Sequence, residues 1–187
     1  MPQTEFLPSR RTGTEQLAGV TFVLGGASSG KSRYAEGLLA RLAGPWTYLA
    51  TGSADDAEMA ERIRRHRERR GTGWVTLEAP IEIAAAIERM PGPILVDCLT
   101  FWVSNLMAAN ANPDDAIERL LVALRRPGGP LVLVSNEVGL GIVPDNALAR
   151  AFRDHAGRVN QRVASAADRV VFIAAGLPLA LKGDLPR

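Results

Sequence analysis

One short run near the start of the chain has the residue types and the spacing to hold a phosphate: Gly25, Gly26, Ala27, Ser28, Ser29, Gly30, Lys31 and Ser32. It satisfies G-x-x-x-x-G-K-[ST], in which successive backbone N–H groups wrap an anion and the next helix points its N-terminus at it. Lys31 would reach the β- and γ-phosphates, and the Ser32 hydroxyl would ligate Mg²⁺. Asp97 closes an apolar run, where a carboxylate would face the crevice outside the strand ends. Two roles are open to it. It could hold a Mg²⁺-bound water or take the proton of an attacking hydroxyl, or it could cap the helix that starts near Leu99. The phosphate loop upstream favours the first.

A second cluster could also do chemistry. Arg62, Arg64, Arg65, His66, Arg67, Arg69 and Arg70 crowd the end of one helical stretch. Guanidinium groups hold phosphates bidentately, and their field disfavours imidazolium, leaving His66 neutral and nucleophilic. A second nucleoside triphosphate, with its α-phosphate beside His66, is a sensible occupant. Plainer readings stand beside this one. His66 shares a helical face with Met59 and Ile63, as a packed histidine would, and arginines at a helix end complement its dipole. A basic helix could also track a nucleic-acid backbone. With aromatic residues at 5% and none in this stretch, the usual stacking platform is missing, so no nucleic-acid partner is expected.

The elements that must position these groups alternate between strand and helix. Strands are expected at Thr21–Leu24, Trp46–Ala50, Trp74–Leu77, Ile94–Asp97, Leu131–Ser135 and Arg169–Ala174, with a possible last one at Leu177–Lys182. Helices are expected at Lys31–Leu42, Asp55–Arg70, Pro80–Arg89, Leu99–Ala109, Pro113–Arg126 and Ala147–Ala166. Asn112 should cap the fifth of these, with Pro113 in the first helical position. Nearly every strand is apolar along its whole length, which suits a parallel sheet covered by helices on both faces. The fold class is α/β.

Composition sets the outer bounds. The chain has 187 residues, 47% hydrophobic and 22% charged, which suits one compact domain over residues 20–187. Residues 1–19 read as a loose extension. A formal charge of +2 gives no global basic field. The single cysteine, Cys98, rules out a disulfide framework within the chain and reads as buried and inert. With no signal-like or membrane-spanning stretch, a cytoplasmic protein is expected.

Several longer blocks carry a resemblance: GGASSGKSRYAE (25–36), YLATG (48–52), EMAERIRRHRERR (58–70), W-x-T-x-E (74–78) and VDCLTFWVSNL (96–106). VSNEVGLGIVP (134–144), AR-x-FRD (149–154) and GRVNQRVA-x-AAD (157–168) continue it. Over residues 20–182 the chain resembles the bifunctional adenosylcobinamide kinase/adenosylcobinamide-phosphate guanylyltransferases of cobalamin biosynthesis. The resemblance implies a P-loop NTPase fold of the recombinase (RecA-like) type and a homotrimer. It implies Mg²⁺, with ATP and GTP as substrates, and adenosylcobinamide and its phosphate as acceptors. It also implies transfer of GMP through a guanylylated histidine, at the position of His66. Nucleotide contacts carry over to Gly25 through Ser32, Ala50, Thr51, Gly52, Arg67, Glu68, Arg69, Arg70, Glu78 and Asp97.

Ser28 departs from the family, which commonly has Arg there, and His155 matches no required histidine. Asn136 and Glu137 could position a ligand or anchor a polar turn, and Arg158, Asn160 and Gln161 suit subunit packing at least as well as ligand contact. Two alternatives remain: a P-loop small-molecule kinase with a structural His66, and a nucleic-acid-binding P-loop ATPase.

Overall fold

The computed structural model describes residues 17–52, 61, 64, 68 and 70–186. Its strands are β1 (Val20–Gly25), β2 (Trp46–Ala50), β3 (Trp74–Glu78), β4 (Ile94–Asp97), β5 (Leu131–Asn136), β6 (Arg169–Ala174) and β7 (Leu177–Lys182). They form one sheet in the order β3-β2-β4-β5-β1-β6-β7. All neighbours run parallel except β6 and β7, which pair antiparallel. The apolar runs lie where two-sided burial needs them, since β1 is buried at every residue and β5 at all but its last. This is an α/β fold built on one mostly parallel sheet.

Among the described residues, five helices with defined bounds cover the sheet: α1 (Lys31–Leu39), α2 (Ile83–Arg89), α3 (Leu99–Ala108), α4 (Pro113–Leu124) and α5 (Ala147–Ala166). Side chains alternate across each strand, so two cores form. Phe22, Leu24, Val96 and Leu133 pack with Ile87, Trp102, Leu120 and Val163 from α2 to α5. Val23, Leu95, Val134 and Val171 pack with Ala35, Leu38 and Leu39 of α1. Glu61, Arg64, Glu68 and Arg70 are helical, which agrees with the helix expected there; the rest of that stretch lies outside the described residues.

Boundaries differ from the sequence reading in a few places. The first helix stops at Leu39 and turns through a Leu42 N–H to Leu39 carbonyl bond of 2.9 Å, ahead of Gly44-Pro45, while Leu42 stays buried. The next described helix opens at Ile83, not Pro80, and α4 ends at Leu124, ahead of Pro127-Gly128. Asn112 caps α4 as expected, accepting from the Asp114 N–H at 3.0 Å. Leu17, counted with the extension in the sequence, is buried at 4% exposure, and Gly19 accepts the Leu131 N–H at 3.0 Å. Packing against the sheet therefore includes residues ahead of β1.

The register brings the site together. Gly25 pairs with Asn136, Asp97 with Val134, and Ala50 with both Asp97 and Glu78, so these residues end their strands on one edge. At about 4.8 Å per strand, Asp97 stands roughly 10 Å across the sheet from Gly25, and Glu78 roughly 19 Å. The first span suits two groups sharing one metal–phosphate unit. The second is too long for that and leaves room for a separate ligand.

Candidate functional site

The loop between β1 and α1 is shaped by contacts with its neighbours. A Cβ on Gly25 would lie 2.5 Å from Ser29 Oγ and 2.6 Å from the Ile173 carbonyl, so the wrap leaves no space for a side chain there. Gly30 takes φ 96°, a left-handed conformation that favours glycine, and caps α1 with no side-chain hydrogen bond. The Ser29 N–H donates to Gly26 carbonyl at 3.3 Å, and the Gly176 N–H donates to Ser29 carbonyl at 2.9 Å. No side chain caps the α1 N-terminus, which leaves its first backbone N–H groups for an anion. Lys31, at 5% exposure, lays its Nζ 3.0 Å from the Gly26 carbonyl, inside the loop it would share with a phosphate. Ser29 Oγ is buried and has no hydrogen-bond partner among the described residues, which marks a polar atom the loop itself does not satisfy. Ser28 sits at φ 55° and is exposed.

Asp97 is not a helix cap. The cap position of α3 belongs to Cys98, which makes no side-chain cap bond. Asp97 instead accepts the Tyr48 hydroxyl on Oδ2 at 2.8 Å. Its backbone is held by Thr51, which is fully buried: the Thr51 N–H donates to the Asp97 carbonyl at 3.1 Å. The Thr51 hydroxyl donates to the Cys98 carbonyl and accepts the Cys98 N–H, each at 2.7 Å. Asn105 Nδ2 then donates to the Thr51 carbonyl at 2.7 Å. Every polar group of Thr51 is therefore used inside the protein. Thr51 thus stands behind Asp97 as a strut.

Tyr48 links this edge to the arginine-rich segment. Its ring lies under Arg70, with Cζ 3.4 Å from the ring centroid, a cation–π contact. Arg70 Nη1 is buried with no hydrogen-bond partner among the described residues, so the guanidinium has capacity left for an anion. Burial, then the neighbouring Asp97, push the Tyr48 phenol well above its ordinary range, so it stays protonated and donates. Burial, helped by Asp97, likewise raises the Cys98 thiol, in keeping with an inert cysteine.

The remaining expected site residues divide. Ala50 and Gly52 are half-buried beside the Asp97 turn, and Glu78 is exposed at the β3 end. Glu68 pairs with Arg64 at 2.5 Å on the surface, where such a bridge contributes little. His66, Arg67 and Arg69 lie outside the described residues. Asn136 and Glu137 act as a turn anchor: the Asn136 N–H donates to Thr100 Oγ1 at 2.7 Å, and Glu137 Oε1 accepts the Gly139 N–H at 2.6 Å. The Asn160 side chain donates to the Asn136 carbonyl at 3.1 Å, while Gln161 is exposed. Arg158 lies 2.7 Å from His155 Nδ1 and 3.9 Å from Asp114, which gives His155 a structural partner.

Sequence reasoning missed Tyr48, Thr100 and Asn105 as site supports. Their partners are 49, 35 and 54 residues away: the β2–β4 register brings Tyr48 to Asp97, and packing of α3 on the sheet edge brings Thr100 and Asn105 to theirs. It also missed the character of the segment after Glu137. Leu140 (84%), Ile142 (98%) and Val143 (61%) stand exposed, although the Glu137 N–H at the segment's root donates to the Gly25 carbonyl at 3.1 Å.

Mg²⁺ is tested by its donors. It prefers hard oxygens and usually takes one or two from protein, with phosphates and water supplying the rest. Ser32 and Asp97 offer such a pair beside the loop, and no group of three or more His, Cys, Asp or Glu suited to a metal occurs among the described residues. The set fits a metal shared with a nucleotide. No described helix is long and apolar enough to cross a membrane.

The chain matches the model of the cobinamide kinase / cobinamide phosphate guanyltransferase family over residues 21–181. It is 46% identical over 167 residues to the bifunctional adenosylcobalamin biosynthesis protein CobP of Pseudomonas aeruginosa, covering 87% of this chain and 96% of that one. It is 42% identical over 178 residues to the bifunctional adenosylcobalamin biosynthesis protein CobU of Salmonella typhimurium, covering 86% and 98%. Among solved structures, the flagellar accessory protein FlaH of Methanocaldococcus jannaschii aligns with TM-score 0.48 and 14% identity, over 89% of this chain and 79% of that one. With a phosphate loop, a buttressed Asp97 on the same sheet edge and a family match across both, the chain belongs to the cobinamide kinase / cobinamide phosphate guanyltransferase family.

Proposed function

We propose that the chain phosphorylates adenosylcobinamide and then transfers GMP to the product, with the two steps using different parts of one sheet edge. The observation that carries this reading is the register, which sets Asp97 two strands from the phosphate loop and Glu78 four strands away. In the first step the loop from Gly25 to Ser32 wraps the phosphates of ATP or GTP and Lys31 neutralises them. The acceptor hydroxyl oxygen bonds to the γ-phosphorus, the bond to the β–γ bridging oxygen breaks, and the nucleoside diphosphate leaves with the hydroxyl proton released. Ser32 and Asp97 would hold Mg²⁺, which supplies charge neutralisation on the β- and γ-phosphates when bound.

In the second step a ring nitrogen of His66 bonds to the α-phosphorus of GTP and pyrophosphate departs. An oxygen of adenosylcobinamide phosphate then displaces the histidine, giving adenosylcobinamide-GDP. Arg67, Arg69 and Arg70 absorb the charge that builds at phosphorus, and Glu68, Glu78, Ala50 and Gly52 contact the GTP. We read the exposed Leu140, Ile142 and Val143 as the seat of the acceptor's apolar macrocycle, since their segment is rooted on the phosphate loop. Family likeness and the single cysteine support a cytoplasmic homotrimer built from one domain over residues 20–187.

Staged addition tests the order of steps. Protein given ATP and adenosylcobinamide should yield only the phosphate, and later GTP should convert it to the GDP adduct, read by mass spectrometry. Adduct formed from GTP and unphosphorylated adenosylcobinamide, with no phosphate intermediate, would defeat the reading.

A further inference from the structure

We propose that Tyr48 is a positioning residue serving both steps: its hydroxyl fixes Asp97 and its ring seats Arg70. The idea rests on the functional reading above only for what the two ends do. The geometry is local. Tyr48 is 7% exposed in the middle of β2, with its hydroxyl 2.8 Å from Asp97 Oδ2 and its ring 3.4 Å beneath Arg70 Cζ. Trp74 meets the ring edge-on at 6.3 Å and packs in turn on Trp46 at 5.4 Å, so the phenol is held in place from the side. One side chain thus touches a carboxylate of the phosphate-loop edge and a guanidinium of the arginine-rich segment. Arg70 follows His66 by four residues in the sequence, so the guanidinium that Tyr48 seats belongs to the stretch the second step uses.

The two contacts use different chemistry and can be separated. Tyr48→Phe keeps the π face and removes the hydrogen bond to Asp97. Tyr48→Met fills similar space and removes both. Binding of Mn²⁺ with ATP to the full chain, followed by electron paramagnetic resonance without acceptor, reads the Asp97 arm apart from turnover. Protein-bound label from GTP carrying a labelled α-phosphate reads the Arg70 arm. Y48F should bind Mn²⁺ about tenfold more weakly, the size of a lost charge-assisted hydrogen bond, while keeping wild-type labelling. Y48M should lose Mn²⁺ affinity and labelling together. Y48F with wild-type Mn²⁺ affinity, or with labelling reduced as far as in Y48M, overturns the proposal. If Y48M does not fold, Y48F alone still decides the Asp97 arm. A wild type that takes no label counts against the guanylyl step, whereas the Mn²⁺ comparison still judges the hold on Asp97.

Discussion

The phosphate loop and the segment from Val138 to Asn146 leave the same sheet edge and are built in opposite ways. At the loop, polar atoms are aimed inward and fixed: Lys31 is buried, Gly25 has no room for a side chain, and Asp97 is backed by Thr51, Tyr48 and Asn105. In the segment, large apolar side chains point out, with Ile142 at 98% exposure. One hydrogen bond, from the Glu137 N–H to the Gly25 carbonyl, joins the two. Charge transfer gains from donors already in place, because they need no reorganisation as charge develops. An apolar ligand face needs only surface and position. The contrast teaches that one edge can serve both needs when each is assigned to a different crossover.

The largest effect is expected at Lys31. Lys31→Ala should lower phosphorylation of adenosylcobinamide by orders of magnitude in a turnover assay, with thermal stability little changed; near-normal turnover would remove the loop from the chemistry. Next comes the strut. Thr51→Val keeps the shape but strands the Cys98 N–H and carbonyl in a buried site, and should cost about 1–3 kcal/mol in urea unfolding. A cost near zero would mean that the Asp97 turn needs no backing.

Leu140→Ser with Ile142→Ser should raise KM for adenosylcobinamide about tenfold, because an apolar contact of this size is worth roughly 1–3 kcal/mol. KM for ATP and unfolding stability should hold, since both side chains are exposed. If sedimentation shows instead that the double variant falls apart into smaller species, the segment is a subunit contact and not an acceptor seat.

The smallest effect concerns Cys98. Its folded pKa is raised, so the folded chain keeps the thiol proton where the unfolded chain loses it. That contribution is complete below the ordinary thiol pKa and is lost as pH rises through the raised value. Urea midpoints should therefore decline across the alkaline range, and the decline should be shallower in Cys98→Ala. Equal slopes would mean that the buried thiol carries no such linkage.

How much of this was legible in the sequence follows from how local each signal is. The phosphate loop was legible because its spacing, its glycines and its flanking elements lie within a dozen residues. Asp97 was half legible: a strand-ending carboxylate looks the same whether it caps a helix or faces a ligand, and only the Cys98 cap separates the two. Tyr48 was illegible as a support, since its partner is 49 residues away and the β2–β4 register makes the pair. β7 misleads in another way. Leu177, Leu179 and Leu181 form the last strand that the sequence offered, yet all three are exposed on an antiparallel edge. Hydrophobic pattern reports what a strand could bury, and the sheet order decides whether it does.

In the proposed function two chemistries share this edge, with Lys31 serving one and His66 the other. The most direct test is to incubate the chain with GTP labelled at the α-phosphate, denature it and map the label. Acid-labile, base-stable label is expected on the peptide containing His66. That label should persist in Lys31→Ala and be absent from His66→Ala, with His155→Ala unaffected. No label on the wild type, or label that survives His66→Ala, would contradict it and leave a kinase in which His66 is a packing residue.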